Sequence, residues 1–290
     1  MTTRPLSVLR APAALFVAGA IALAGSDASK TGRAAPRQKK VPGDGVEWIN
    51  FPDQNEESNE DWGDFLTDIA RHLPNRYGDR YYSDDRITHA HETTHGINSH
   101  ISNHLRNGRP PAYGFYVGNH QAILLSGPQI KLSQVAALIP ASLRGSRYQL
   151  YCIDQQKYFE DHPLYLFDEW VAYTNGAHAG VELAEKKQLD MPRNDALIGP
   201  MEFSIYALAV AAAAQKHDPE YLRQNQQFRE FLAHELRRSL RIYKKGIKLE
   251  QFRWERELER SLLEEDDAQE IRQIVQRLYG KDLTLEGLLQ

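Results

Sequence analysis

Apolar residues recur at helical spacing along much of the chain, and the longest one-sided stretch lies between Ser83 and Gly108. Ile87, Ala90, Thr94, Ile97, Ile101 and Leu105 make one stripe there; Ser83 or Asp84 can cap its start, and Gly108 with Pro110 and Pro111 ends it. Before it, Val46 to Phe51 alternates as a strand does, and Phe65, Leu66, Ile69 and Leu73 predict a short helix from Gly63 to Leu73, closed by Pro74. After it, Tyr113 to Val117 and Ala122 to Leu125 flank Gly118-Asn119-His120-Gln121 and predict a hairpin. Leu132 to Ile139 reads as a short helix ended by Pro140, and Tyr148 to Ile153 as a strand-like run. Pro163 opens a helical pattern through about Ala184, followed by helices over Met201–Lys216, Tyr221–Tyr243, Leu249–Leu263 and Ala268–Tyr279. The expected class is α+β and predominantly helical, with a small β-hairpin or sheet and additional C-terminal helices.

Composition and the ends divide this pattern into parts. Arg4 and Arg10 precede an apolar run from Ala11 to Ala24, which reads as an export signal over residues 1–24, cut before Gly25; a retained N-terminal anchor is the alternative. The run is short for a bilayer, which needs roughly 20 apolar residues, and Ser26 stands where a lipidated cysteine would be. Residues 25–44 are rich in Ser, Gly, Lys, Arg and Pro and predict a flexible leader outside the fold. A core over 45–217 and a charged helical region over 218–290, packed on or extending that core, complete the division. Loss of the signal removes two arginines and moves the formal charge from −4 to −6, which gives no reason to expect a nucleic-acid partner. Tyr206 to Ala214 is too short to span a membrane and reads as a core helix, so no stable span is expected after signal cleavage. The charges between Arg223 and Arg277 read as solvated faces of amphipathic helices. Cys152, the single cysteine, excludes an internal disulfide and predicts a buried, inert thiol.

The candidate chemistry sits in the long helix, at His91-Glu92-Thr93-Thr94-His95. Residues four apart lie one turn above each other, so both imidazoles can address one ion, and neutral imidazole suits zinc. Glu92 lies about 100° around the helix, where it can take a proton from a metal-bound water without itself being a ligand. His91, His95, Asn98 and Ser102 form a strip beside the apolar stripe and therefore border the core. His89, His100 and His104 lie on or toward the other face and read as surface histidines, with a second metal or a pH-sensitive patch as the alternative.

The five-residue motif resembles that of the zincin superfamily of metallopeptidases. Asn98 and Ile101 stand where the metzincin branch has Gly and His, which disfavours that branch. The gluzincin branch takes a glutamate from a later helix, and the resemblance implies Glu169, within Phe167-Asp168-Glu169-Trp170-Val171-Ala172-Tyr173, as third ligand to one zinc per chain. Asp161, His162, Asp168, His178 and Glu182 are the competing residues, and Asp168 is also a candidate to orient a ligand histidine. Tyr173 or Tyr165 is implied as donor to the developing oxyanion. The expected protein is an exported zinc metallopeptidase, secreted or in the periplasm or cell envelope, that cuts peptide or protein substrates with Glu92 as general base. The alternatives are a zinc-binding, non-proteolytic envelope interaction protein and a zinc hydrolase of a non-peptide amide or cell-wall linkage. Zincins place a substrate-aligning edge strand before the motif helix, whereas the clear strands here follow it; strand addition at the hairpin edge is the expected equivalent.

Overall fold

A computed structural model describes residues 41–75, 85–105, 112–189, 193–252 and 256–290. The signal over 1–24 and most of the leader lie outside the described residues. The described chain is mostly helical with a three-stranded antiparallel sheet in the order β1-β3-β2. Its elements are β1 (Ile49–Asn50), α1 (Gly63–His72), α2 (Arg86–His104), β2 (Tyr113–Gly118), β3 (Gln121–Leu125), α3 (Leu132–Ala136), a π-helical turn (Gln149–Asp154), α4 (Gln156–Phe159), α5 (Tyr165–Glu185), α6 (Ile198–His217), α7 (Pro219–Gln224), α8 (Gln226–Gly246), α9 (Glu257–Glu264), α10 (Gln269–Tyr279) and α11 (Leu285–Leu289).

The long motif helix starts slightly later than the sequence suggests. Asp85 is its N-cap, with a side chain that accepts from the Ile87 amide at 3.1 Å. Ile87, Ala90, Thr94, Ile97 and Ile101 are all buried, as the stripe requires. Asn119 and His120 both have positive φ (52° and 60°), the two-residue turn geometry whose twist matches a hairpin. Between Val46 and Phe51 only Ile49 and Asn50 pair, with Ala122 and Gln121, so β1 is a short edge strand.

Several elements differ from the sequence pattern for identifiable reasons. Tyr148 to Ile153 is a π-helical turn and its neighbour, not a strand: Leu150 and Cys152, two residues apart, would share one face of a strand, yet Leu150 is exposed and Cys152 fully buried. The Cys152 thiol is inert as expected, since burial raises its pKa well above the ordinary value. The helix expected over Tyr221–Tyr243 is broken at Asn225, whose side chain accepts from the Phe228 amide and caps α8. The helix expected from Leu249 starts only at Glu257. Residues 41–44 belong to the fold rather than to a leader, because the Gly43 amide donates to Glu230 of α8 at 2.7 Å.

Helix α6 is the centre of the larger core. Every residue from Ile198 to Ala214 is buried, the all-round burial expected of a helix covered on each side. No helix among the described residues is long and apolar enough to cross a membrane. Helix α8 shows that its charges are not all solvated: Glu235 is completely buried, and Arg238 donates to it at 2.7 Å, donates to Asn175 of α5 and lies over the Phe65 ring. Burial pushes the Glu235 carboxyl up to about 7 against the pull of Arg238.

The helices that matter for the site cross where α5 has small residues. A Cβ on Gly176 would lie 2.9 Å from the Ile87 backbone carbonyl oxygen and 3.4 Å from the His91 Cβ; at Gly180 the obstruction is the Ile87 side-chain tip. Gly176→Ala should therefore destabilise the protein by about 1–3 kcal/mol in urea unfolding, whereas Gly180→Ala should cost less, because a methyl tip can rotate away. Equal costs would show that backbone approach does not set this packing. Because folded Glu235 holds its proton up to about pH 7 and the unfolded carboxyl only to about 4.5, its contribution to stability falls as pH rises between those values. Glu235→Gln should flatten that fall when unfolding midpoints at pH 5 and pH 8 are compared.

Candidate metal centre

His91 and His95 come from consecutive turns of α2, and Glu169 comes from the first turns of α5, which crosses it. Their ligand atoms converge: His91 Nε2 lies 3.1 Å from His95 Nε2, and Glu169 Oε2 lies 3.8 and 3.6 Å from those two nitrogens. Four ligands about 2.05 Å from a tetrahedral zinc sit about 3.3 Å apart, and the three observed separations bracket that value. Glu169 Oε2 is buried without a hydrogen-bond partner, so a carboxylate oxygen faces the imidazoles at distances too long for hydrogen bonding and right for a shared cation.

The surroundings prepare the two histidines differently. Asp168 Oδ2 accepts the His95 Nδ1 hydrogen at 2.7 Å, which aims the His95 Nε2 at Glu169 and His91, where a cation would take the place of its proton. Asp168 is itself fixed by Asn98, which donates to its other oxygen at 2.7 Å, and Asn98 in turn accepts the Tyr116 amide of β2 at 2.8 Å. Burial, then His95 and Arg147, push His91 down to about 3, so it is neutral and able to offer a lone pair. On His95 burial opposes charge, yet Asp168 and Glu169 outweigh it and hold the pKa well above the ordinary imidazole value. Burial pushes Glu169 up against the pull of His95. Two carboxylates thus face one His95 ring inside the protein, a local excess of negative charge that suits a divalent cation.

Glu92 lies beside the triad and makes no side-chain hydrogen bond or ion pair among the described residues. It lines a cavity of about 200 Å³ with His91, Arg147, Tyr151, Tyr173 and Arg193. His95 and Asp168 line a second groove of about 400 Å³ with Tyr113, Phe159, His162 and Tyr165. The three ligand atoms therefore sit between two openings.

Of the other sequence candidates, Tyr173 is beside the triad, its ring 4.3 Å from that of His91 and its hydroxyl 3.0 Å from the Tyr151 hydroxyl. Tyr165 instead donates to the Tyr151 backbone carbonyl. Glu182 accepts the Asp64 and Phe65 amides at 2.7 and 2.8 Å and holds the start of α1; His178 packs on Phe65, His162 bonds the Tyr113 hydroxyl and Asp161 is exposed. None of these four joins the triad. His89 and His100 are buried, not surface residues, because α2 is covered on its far side too: His89 meets the Trp62 ring edge and His100 the ring of Phe51. His104 is exposed. The hairpin edge is not free for strand addition. The outward Gly114 amide donates to Ser102 at 2.7 Å and the Tyr116 amide to Asn98, while the Tyr116 carbonyl accepts from Asn175 at 3.0 Å.

Two residues of the site escaped sequence reasoning. Tyr151 stands in the π-helical turn, and Arg147 lies just before it with its guanidinium 4.9 Å from the centre of the Tyr173 ring. A π-helical insertion is frequent at functional sites, but no short-range pattern in Arg147 to Asp154 announces one. Comparison of the chain with protein-family models, with curated proteins and with solved structures gives no match in any of the three.

Asp168 orients a ligand nitrogen without lying in the triad, so Asp168→Asn should weaken zinc affinity by about 10–100-fold in competitive chelator titration. Glu182→Gln, which loosens the start of α1 instead, should leave that affinity unchanged; an equal loss in both variants would assign the effect to folding.

Proposed function

We propose that this chain is a zinc-dependent hydrolase of peptide bonds, with His91, His95 and Glu169 as the zinc ligands and Glu92 as general base. The observation that supports it most directly is the convergence of those three ligand atoms beside a cavity lined by Glu92. The set of two histidines one helical turn apart and a glutamate from a later helix resembles that of the gluzincins.

Zinc held by His91, His95 and Glu169 would supply Lewis acidity for the scissile carbonyl and for the activation of a water near neutral pH. The chain's own residues do the remaining work. Glu92 accepts the proton of the attacking water as its oxygen bonds to the carbonyl carbon, and returns that proton to the amine nitrogen as the carbon–nitrogen bond breaks. Tyr173 and Tyr151, which share a hydrogen bond at the cavity wall, are the donors available to the carbonyl oxygen as it gains charge. Asp168 holds His95 in the tautomer that ligation needs. The groove on the other side has Tyr113, Phe159 and Tyr165 in its wall, which favours an apolar or aromatic substrate side chain. Because the sheet edge beside α2 is already hydrogen-bonded, the substrate is held by side chains of these two openings and not by an added strand. Export to the periplasm, envelope or medium, proposed from residues 1–24, would bring the enzyme to extracytoplasmic proteins and peptides.

Glu92→Gln should retain zinc, measured by elemental analysis, and lose cleavage of a mixed peptide library by roughly 10²–10⁴-fold. A variant that keeps wild-type cleavage would overturn the mechanism, and zinc retained without cleavage in the wild-type protein would turn the reading to a non-proteolytic zinc protein.

A further inference from the structure

A second cluster of ligand-type side chains shares no residue with the first and is built by three segments far apart in sequence. Asp53 follows β1, His72 ends α1 and His120 occupies the hairpin turn. His72 Nε2 lies 3.0 Å from His120 Nδ1 and 3.3 Å from Asp53 Oδ1, and His120 Nδ1 lies 3.6 Å from the same oxygen. These separations again bracket the roughly 3.3 Å expected between ligands of a tetrahedral zinc.

The buried member of the cluster is oriented for ligation. His72 is completely buried, and its Nδ1 lies 2.6 Å from the Asp68 backbone carbonyl, which can only accept. Nδ1 therefore carries the hydrogen, and the Nε2 lone pair points at His120 and Asp53. The Tyr116 hydroxyl, 2.9 Å from the same Nδ1, donates to Asp68 Oδ2 at 2.8 Å, and the Asn119 amide donates to that oxygen at 3.0 Å. The orienting shell is thus complete on the protein side while the ligand side opens outward, where Asp53 and His120 are about half exposed (45% and 50%). His120 itself has φ +60° at a turn position where glycine is the unstrained choice. A histidine held there at a cost in local strain is placed for its side chain.

We propose that Asp53, His72 and His120 form a second metal site, for a borderline divalent cation of the zinc class. Two imidazole nitrogens select against calcium and magnesium, which take oxygen ligands. The ion ties the segment after β1, the end of α1 and the hairpin turn together, and its fourth position faces solvent. This site is independent of the peptidase reading, since none of its residues lies in the triad of His91, His95 and Glu169.

The test is zinc stoichiometry by equilibrium dialysis and elemental analysis on the full chain, with thermal unfolding in chelator and in zinc. Wild-type protein should bind two zinc ions, His120→Gly one and His95→Ala one. His120→Gly suits the turn, so in chelator it should unfold at or above the wild-type temperature, yet zinc should raise that temperature less than in wild type. Asp53→Ala, at an exposed position, should lose the same ion. Unchanged stoichiometry in both His120→Gly and Asp53→Ala would overturn the second site and leave a hydrogen-bonded polar cluster. Loss of an ion in those two variants, with none lost in His95→Ala, would uphold this site and remove the first.

Discussion

Helices α2 and α5 must approach closely enough for side chains of two different elements to share one small volume, and that approach depends on the missing side chain at Gly176. The Ile87 carbonyl occupies the space a Cβ would take. One turn along α2 from that contact stands His91; two turns back along α5 stands Glu169. A larger residue at position 176 would separate the helices at the point from which the ligand distances are set. The apolar stripe of α2, the cap at Asp85 and the core around α6 supply stability that many sequences could supply, whereas the close approach of α2 to α5 asks for the small residues Gly176 and Gly180.

Around that contact, polar groups link the sheet to the site in sequence: the Tyr116 amide to Asn98, Asn98 to Asp168, Asp168 to His95. Each link satisfies a group that would be costly to bury unpaired, and each also fixes the next in orientation. Asn175, one position before Gly176, bonds Thr94 and the Tyr116 carbonyl and receives Arg238 from α8. The same few residues of α5 thus register the motif helix, the sheet and the charged C-terminal helix against one another.

What the sequence made legible was local. The stripe from Ile87 to Ile101, the hairpin around Asn119-His120 and the helix opened at Pro163 all carry their signals within one continuous stretch of chain. The pair His91 and His95 was legible because helical periodicity alone brings them together, and Glu169 and Asp168 because a resemblance implied one and made the other a neighbour. The π-helical turn holding Tyr151 was not legible, since six residues are too few to show a helical period and their aromatic and apolar side chains equally suit a strand. Nor was the burial of Glu235, His89 and His100, which depends on what covers the second side of an amphipathic helix. Asp53, His72 and His120 belong to three separate elements and meet only once α1, the hairpin and the segment after β1 have docked.

The helix side chains that occupy the outer edge of β2 have a consequence for the molecule in solution. An open strand edge is a template on which another chain can pair, and sheet proteins need some means of blocking it. Here the outward amides of Gly114 and Tyr116 are already engaged by Ser102 and Asn98, and the opposite edge is a strand of only two residues. The hydrogen bonds that align β2 with the motif helix therefore also leave the sheet little edge on which an aggregate could grow.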